Sequence, residues 1–169
     1  AHGFALAGQD VSPFPPGSYT GAINAHLLAE LGVTHCIVGH SERRLYFHET
    51  SVDIAQKTQE LCDQGIIPII CQRAQDIAPD RAALDDSCLT RAHFCYEPEN
   101  DIGGTVTAPV AQIQAVITQI KQVFATSRVM YGGSVNAANF ATLLPLGLSG
   151  VLVATASLDP AQINSLLVQ

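Results

Sequence analysis

In Val38-Gly39-His40-Ser41-Glu42-Arg43-Arg44 an apolar run gives way at once to an imidazole and a dense cluster of charge. The run that leads into it, residues 35–38, is short and apolar on both faces, which is how a strand buried in a parallel sheet reads. Gly39 loosens the backbone at the end of that strand and His40 stands at its tip. Taken singly, His40 reads as a hydrogen-bonded structural histidine, and Glu42, Arg43 and Arg44 as a solvated or ion-paired loop. Taken together they require organisation, because so much charge beside a glycine-flanked histidine is costly unless it is paired.

Working outward, the same alternation recurs along the chain. Apolar runs at 4–11, 35–38, 66–71, 93–96, 128–131 and 150–153 read as strands, and segments of helical period at 22–31, 51–64, 74–86, 108–124, 137–144 and 160–167 lie between and after them. Thr50 or Ser51, Thr107, Asn136 and Asp159 are placed to cap four of the helices, with Pro160 at the first position of the last. Gly32, Gly65 and Gly147 follow helix ends, where a left-handed residue is wanted. Strand and helix in alternation predict a parallel sheet with crossover helices, either an open doubly wound sheet or most of an eightfold barrel. Periodicity does not choose between the two. Both place ligands at the carboxyl ends of the strands, so the residues just after each strand carry the functional reading.

Those residues are rich in chemistry. Cys95-Tyr96-Glu97-Pro98 closes an apolar strand with a carboxylate, which is either a simple strand terminator or a general base. Ile102-Gly103-Gly104-Thr105 is either an ordinary turn or a hinged lid whose backbone N–H groups bind an anion. At Tyr131-Gly132-Gly133-Ser134 two glycines let the backbone approach a ligand, and the serine hydroxyl can donate to it.

The run from Val38 to Arg44, then Tyr96-Glu97-Pro98 with Ile102-Gly103, then Tyr131-Gly132-Gly133-Ser134-Val135, resembles the triosephosphate isomerase family in order and spacing. Gly8-Gln9-Asp10-Val11-Ser12 and Gly17-Ser18-Tyr19-Thr20-Gly21 resemble that family's third strand and its dimer loop. The resemblance implies a TIM (β/α)8 barrel of which residues 1–169 form a single partial domain. The first two βα units, and the lysine that the family carries on the first, are expected to be absent, and Lys57 and Lys121 lie in helices where they cannot replace that lysine. It implies a glycolytic and gluconeogenic isomerase that interconverts dihydroxyacetone phosphate and glyceraldehyde 3-phosphate with no cofactor and no metal. His40 would polarise the substrate carbonyl and Glu97 would shuttle the proton. Gly103, Gly104, Ser134, Ala154 and Thr155 would bind the phosphate. Tyr131 would hold the closed lid, Glu42 and Arg44 would support the site, and Thr20 would reach towards a partner's site in a homodimer formed through residues 12–21. The chain departs from the family where Ala154 and Thr155 stand in place of two glycines, in Cys71-Gln72-Arg73 after the third strand, and in a lid without tryptophan.

Composition narrows the remaining classes. A formal charge of -7 with eight Lys and Arg gives no basic patch for a phosphate backbone, so nucleic acid is not an expected partner. No apolar run reaches the roughly 20 residues of a membrane span. The N-terminus has no signal-peptide pattern, so the expected location is the cytoplasm. Five cysteines, odd in number and without CxxC spacing, point to free thiols. An unrelated phosphate-binding protein would show a GxGxxG or Walker-type loop, and neither is present. The competing expectation is a non-catalytic relic or assembly subunit on the same scaffold that binds a small phosphate.

Overall fold

A computed structural model describes residues 3–98 and 108–167. Six strands form one sheet: β1 (Leu6–Gly8), β2 (Val33–Val38), β3 (Ile67–Gln72), β4 (His93–Tyr96), β5 (Val129–Tyr131) and β6 (Gly150–Val151). Every neighbouring pair is parallel and the spatial order is the chain order. A doubly wound sheet requires a point where strand order reverses. Here there is none, and the sheet curls as part of a (β/α)8 barrel.

Alternation along the strands sorts the side chains onto two faces. Cys36, Val38, Ile70, Phe94, Val129 and Tyr131 point outward and are fully buried against helix residues such as Ile54, Leu61, Ile113, Ile117 and Ile120. Phe94 stacks on Phe124 with ring centroids 4.2 Å apart. Each such aliphatic or aromatic side chain contributes about 1.5–3 kcal/mol by leaving water. Register places the other set on the concave face: His35 opposite Ile67, Ile69 opposite His93, and Cys71 opposite Cys95.

The helices are α1 (Ala25–Glu30), α2 (Ser41–Tyr46), α3 (Ser51–Asp63), α4 (Ile77–Ala83), α5 (Asp86–Leu89), α6 (Val110–Val123), α7 (Phe140–Leu143) and α8 (Pro160–Leu167). Thr50 and Asp53 close a full capping box on α3, and Asn24 caps α1 through Leu27 N. Several sequence expectations change. Strand 4–11 contracts to β1, whose pairing with β2 carries a register slip between Leu6 and Ala7. Helix 74–86 breaks into a 3-10 turn at Ala74–Asp76, then α4, then α5, because extended Asp85 turns its carboxylate to cap Ser87 N and starts a new helix. Helix 137–144 shrinks to α7, since the Asn136 side chain caps a preceding turn through Ala138 N at 2.9 Å. Residues 41–46, read from sequence as a charged loop, form α2. Among the described residues, no helix is long and apolar enough to cross a membrane.

Candidate active site

His40 leaves β2 through Gly39, whose φ of +68° suits glycine. A Cβ at Gly39 would also meet Arg44 Nη2 at 2.9 Å and Ile54 Cδ1 at 3.0 Å. His40 is the N-cap of α2, and its Nδ1 accepts the Glu42 backbone N–H at 3.3 Å. A ring nitrogen that accepts carries no proton, so in the neutral ring the hydrogen sits on Nε2. That Nε2 lies 3.2 Å from Glu97 Oε1.

Glu97 follows β4 directly and is 2% exposed. Its backbone N–H donates to Gln72 O, which continues the β3–β4 ladder one step past the strand. Oε2 accepts the Ser41 N–H at 2.9 Å, a buried bond that ties the carboxylate to the start of α2. Among the described residues Oε1 has no hydrogen-bond partner, because its contact with His40 Nε2 is close but not aligned for a hydrogen bond. A fixed carboxylate with one oxygen held and one open, facing an N–H on a second strand, can take up a proton while its neighbour polarises a carbonyl.

Gly132 packs beside this pair. A Cβ there would come 2.8 Å from Cys95 Sγ and 3.4 Å from Glu97 Cγ, so glycine is demanded by space. Two residues on, Ser134 takes a left-handed φ of +43°, held by Asn136 and Asn139, whose side-chain amides donate to its carbonyl. A non-glycine residue in that region stores strain of a kind found at ligand sites. Ala154 and Thr155 open the 3-10 turn Thr155–Leu158 and are exposed. Tyr131 is fully buried, with its ring 6.1 Å from that of Tyr96. Gly103 and Gly104 lie outside the described residues. A groove of about 610 Å³ between Asn136, Ala137, Ala138, Thr155, Ala156 and Gln162 contains neither His40 nor Glu97, so volume alone does not mark the chemistry.

The supporting residues separate. Arg44 is almost wholly buried: Nε donates to Gly39 O at 2.8 Å, Nη2 to Asp80 at 2.6 Å and to Cys71 O at 3.1 Å. It thereby fastens the ends of β2 and β3 to α4. Glu42 is largely exposed, with Oε2 3.8 Å from His40 Nδ1. Thr20 is exposed on the 12–21 loop, where Phe14 and Tyr19 stack at 4.7 Å.

Two features escaped the sequence reading. Lys57, read only as a helix residue, is 3% exposed and binds Asp10 at 2.6 Å and Glu49 at 2.5 Å, while Arg43 bridges the same two carboxylates. Asp80 is fully buried and receives both Arg44 and Gln72 Nε2. Each cluster joins near neighbours such as Glu49 and Lys57 or Gln72 and Asp80 to a partner far away in the chain, Asp10 in the first and Arg44 in the second, so spacing carried no signal of them. Lys121 donates to Gly147 O at a helix end.

The family model described as triosephosphate isomerase matches residues 1–169. Curated proteins named triosephosphate isomerase are similar throughout. That of Mesomycoplasma hyorhinis is 38% identical over 167 residues, which span 90% of this chain and 69% of the relative. That of Paracidovorax citrulli is 38% identical over 176 residues, 91% of this chain and 70% of the relative. That of Albidiferax ferrireducens is 35% identical over 185 residues, 96% and 75% respectively.

Proposed function

The chain belongs to the triosephosphate isomerase family, and from that premise we propose that it interconverts dihydroxyacetone phosphate and D-glyceraldehyde 3-phosphate through an enediolate. The observation that carries this reading is the approach of His40 Nε2 to Glu97 Oε1, 3.2 Å apart at the tips of β2 and β4. Glu97 takes the C1 proton of dihydroxyacetone phosphate. The C–H electron pair moves into the new C1–C2 double bond, and the carbonyl oxygen takes the displaced pair while His40 Nε2–H donates to it. His40 Nε2 passes its proton to that oxygen and takes up the C1 hydroxyl proton, the pair freed on the C1 oxygen forms the aldehyde carbonyl, and the C1–C2 double-bond pair takes the proton back from the Glu97 carboxylic acid at C2. No electrons enter or leave, so the reaction calls for no redox cofactor.

The phosphate is held by Ser134, by backbone at Ala154 and Thr155, and by Gly103 and Gly104. Side chains at Ala154 and Thr155, where the family carries glycines, crowd the backbone N–H groups at that position. Tyr131 steadies the lid, and Glu42 and Arg44 support the two reacting groups. Residues 12–21 pair two copies, with Thr20 turned to the partner's site. The exposed Phe14 and Tyr19, and a neighbouring groove of about 480 Å³ lined in part by Pro13, Gly21, Ala22, Arg43 and Phe47, support that pairing. The cytoplasm is the compartment that suits this reaction.

Glu97→Gln keeps the shape and the Ser41 bond but removes the base. Turnover is expected to fall by about 10²- to 10⁴-fold or more, with an unchanged circular dichroism spectrum. Turnover equal to the parent's would leave Glu97 a strand terminator, and no turnover in the parent itself would support the non-catalytic reading.

A further inference from the structure

Cys71 and Cys95 sit opposite one another in the β3–β4 register, both fully buried on the concave face. Glu97 is two residues past Cys95 and so shares that face. The two sulfurs and a Glu97 carboxylate oxygen lie within 4.8 Å of one another, and among the described residues no other three His, Cys, Asp or Glu donors are grouped so closely. All five cysteines are free thiols.

We propose that Cys71, Cys95 and Glu97 form a binding site for a soft divalent cation of the zinc or cadmium class, and that its occupancy inhibits the isomerase. The inhibitory half rests on Glu97 being the base, while the binding half does not.

Four features support the site. The donor set is two sulfurs and one carboxylate, which suits zinc and cadmium and is wrong for magnesium or calcium, whose ligands are oxygens. A tetrahedral zinc ion with bonds of about 2.0–2.3 Å sets its donors roughly 3.3–3.8 Å apart, and the trio's donor atoms already lie within 4.8 Å of one another. Among the described residues the buried Glu97 Oε1 has no aligned hydrogen-bond partner, so the carboxylate has acceptor capacity to spare. The absence of a side chain at Gly132 also leaves the Cys95 sulfur and the carboxylate side by side.

His40 is not the fourth donor. Its Nδ1 already accepts the Glu42 N–H, which keeps the proton on Nε2. The fourth position falls to a water or to a substrate oxygen, as at three-ligand zinc sites. The Cys95 thiol, burial and the Glu97 charge together push the Cys71 thiol well above its usual range, and a cysteine ligates a metal as its thiolate. Each cation that binds therefore forms two metal–sulfur bonds and one metal–oxygen bond and releases two protons to solvent. Glu97 then has its carboxylate on the metal and can no longer accept the substrate proton.

Titration of the reduced chain with cadmium chloride, followed by the ultraviolet thiolate-to-cadmium charge-transfer band, tests the site without an activity readout. One equivalent is expected to saturate the band. Cys95→Ser keeps the volume and removes the soft donor, and Cys95→Ala guards against misfolding of the serine variant. Both should weaken binding by about 100-fold or more, at least as much as loss of an outer-shell partner costs. Cys62 adjoins Cys88 elsewhere in the fold, so Cys62→Ser is the control and should leave the band unchanged. Zinc should inhibit isomerisation in the parent chain and much less in Cys95→Ala. No band in the parent chain, or a band untouched by both Cys95 variants, or one abolished by Cys62→Ser, would overturn the site. A saturable band in a chain with no isomerase activity would keep the site and defeat the proposed function instead.

Discussion

At the scale of single residues, position in the barrel mouth is set by contacts that leave no slack. Gly132 shows this best, because its missing side chain is what lets Cys95 and Glu97 share one face. Gly132→Ala would press a methyl group 2.8 Å from a fully buried sulfur and move Glu97 with it. Overpacking of that kind costs about 1–3 kcal/mol, and a displacement of about 1 Å at a reacting group costs up to 10²-fold in rate. We expect Gly132→Ala to lower kcat by about 10- to 100-fold. The double variant Gly132→Ala/Cys95→Ala should recover most of it, since the second change vacates the space the first needs. Failure of the second change to restore any activity would mean that the glycine serves the backbone rather than the space. The tips were legible in sequence because a strand end followed by His40, Glu97 or Gly132 is a local pattern. The Cys71–Cys95 pair and the Arg44–Asp80 clamp were not, since each depends on register or packing between segments far apart in the chain.

At the scale of elements, local signals located the structure wherever local chemistry decided it. β4 and α8 have the bounds expected from sequence, the first an apolar run closed by Glu97 and Pro98, the second opened by Asp159 and Pro160. α2 was missed because its N-cap is His40, and the usual start signals are serine, threonine, aspartate or asparagine. Its remaining features fit a helix well, with Glu42 in the first turn and Arg43 and Arg44 in the last. Helix 74–86 was read as continuous because its apolar period runs through the break that Asp85 makes. The capping box on α3 offers a clean measurement of local stabilisation. Thr50 Oγ1 accepts the Asp53 N–H and donates to the Asp53 carboxylate, which in turn accepts the Thr50 N–H at 2.8 Å. Thr50→Ala should lower the unfolding free energy by about 1 kcal/mol in urea titration, within the range of lost caps. A change below a few tenths would show that α3 is held by Ile54 and Leu61 alone.

The whole molecule brings together charge, surface and the lower end of the barrel. Phe14 and Tyr19 on the 12–21 loop are exposed, as are Leu45, Tyr46 and Phe47, and large apolar side chains at a surface mark an interaction site where they adjoin. Sedimentation should find a dimer, and Tyr19→Glu should raise its dissociation constant by about 30-fold, the cost of one interface hot spot. A monomer at high concentration would remove the pairing. Away from the mouth, His93 begins β4 on the concave face, with its ring 6.2 Å from that of His35 across β3. Burial, then His35, then Arg128 hold the His93 imidazole below its ordinary value of 6.5. The protonated ring is therefore disfavoured in the fold and not in the unfolded chain. Between the two values the unfolded chain binds more protons, so stability rises with pH through that window. The contribution is complete above about 6.5 and is lost as pH falls through the lower, folded value. Asp53, whose carboxyl is held down by its bonds to Thr50, acts in the same direction but only below its ordinary value of 3.8, so the two effects separate on the pH axis. Thermal melts should thus be flat from pH 8 to about 7 and decline from about 6.5 downward, before carboxylates begin to protonate. His93→Gln keeps a polar ring-sized group without the charge and should flatten that decline by less than one proton's worth of slope. An identical decline in His93→Gln would assign the effect to another group and leave the His35–His93 contact a matter of packing alone.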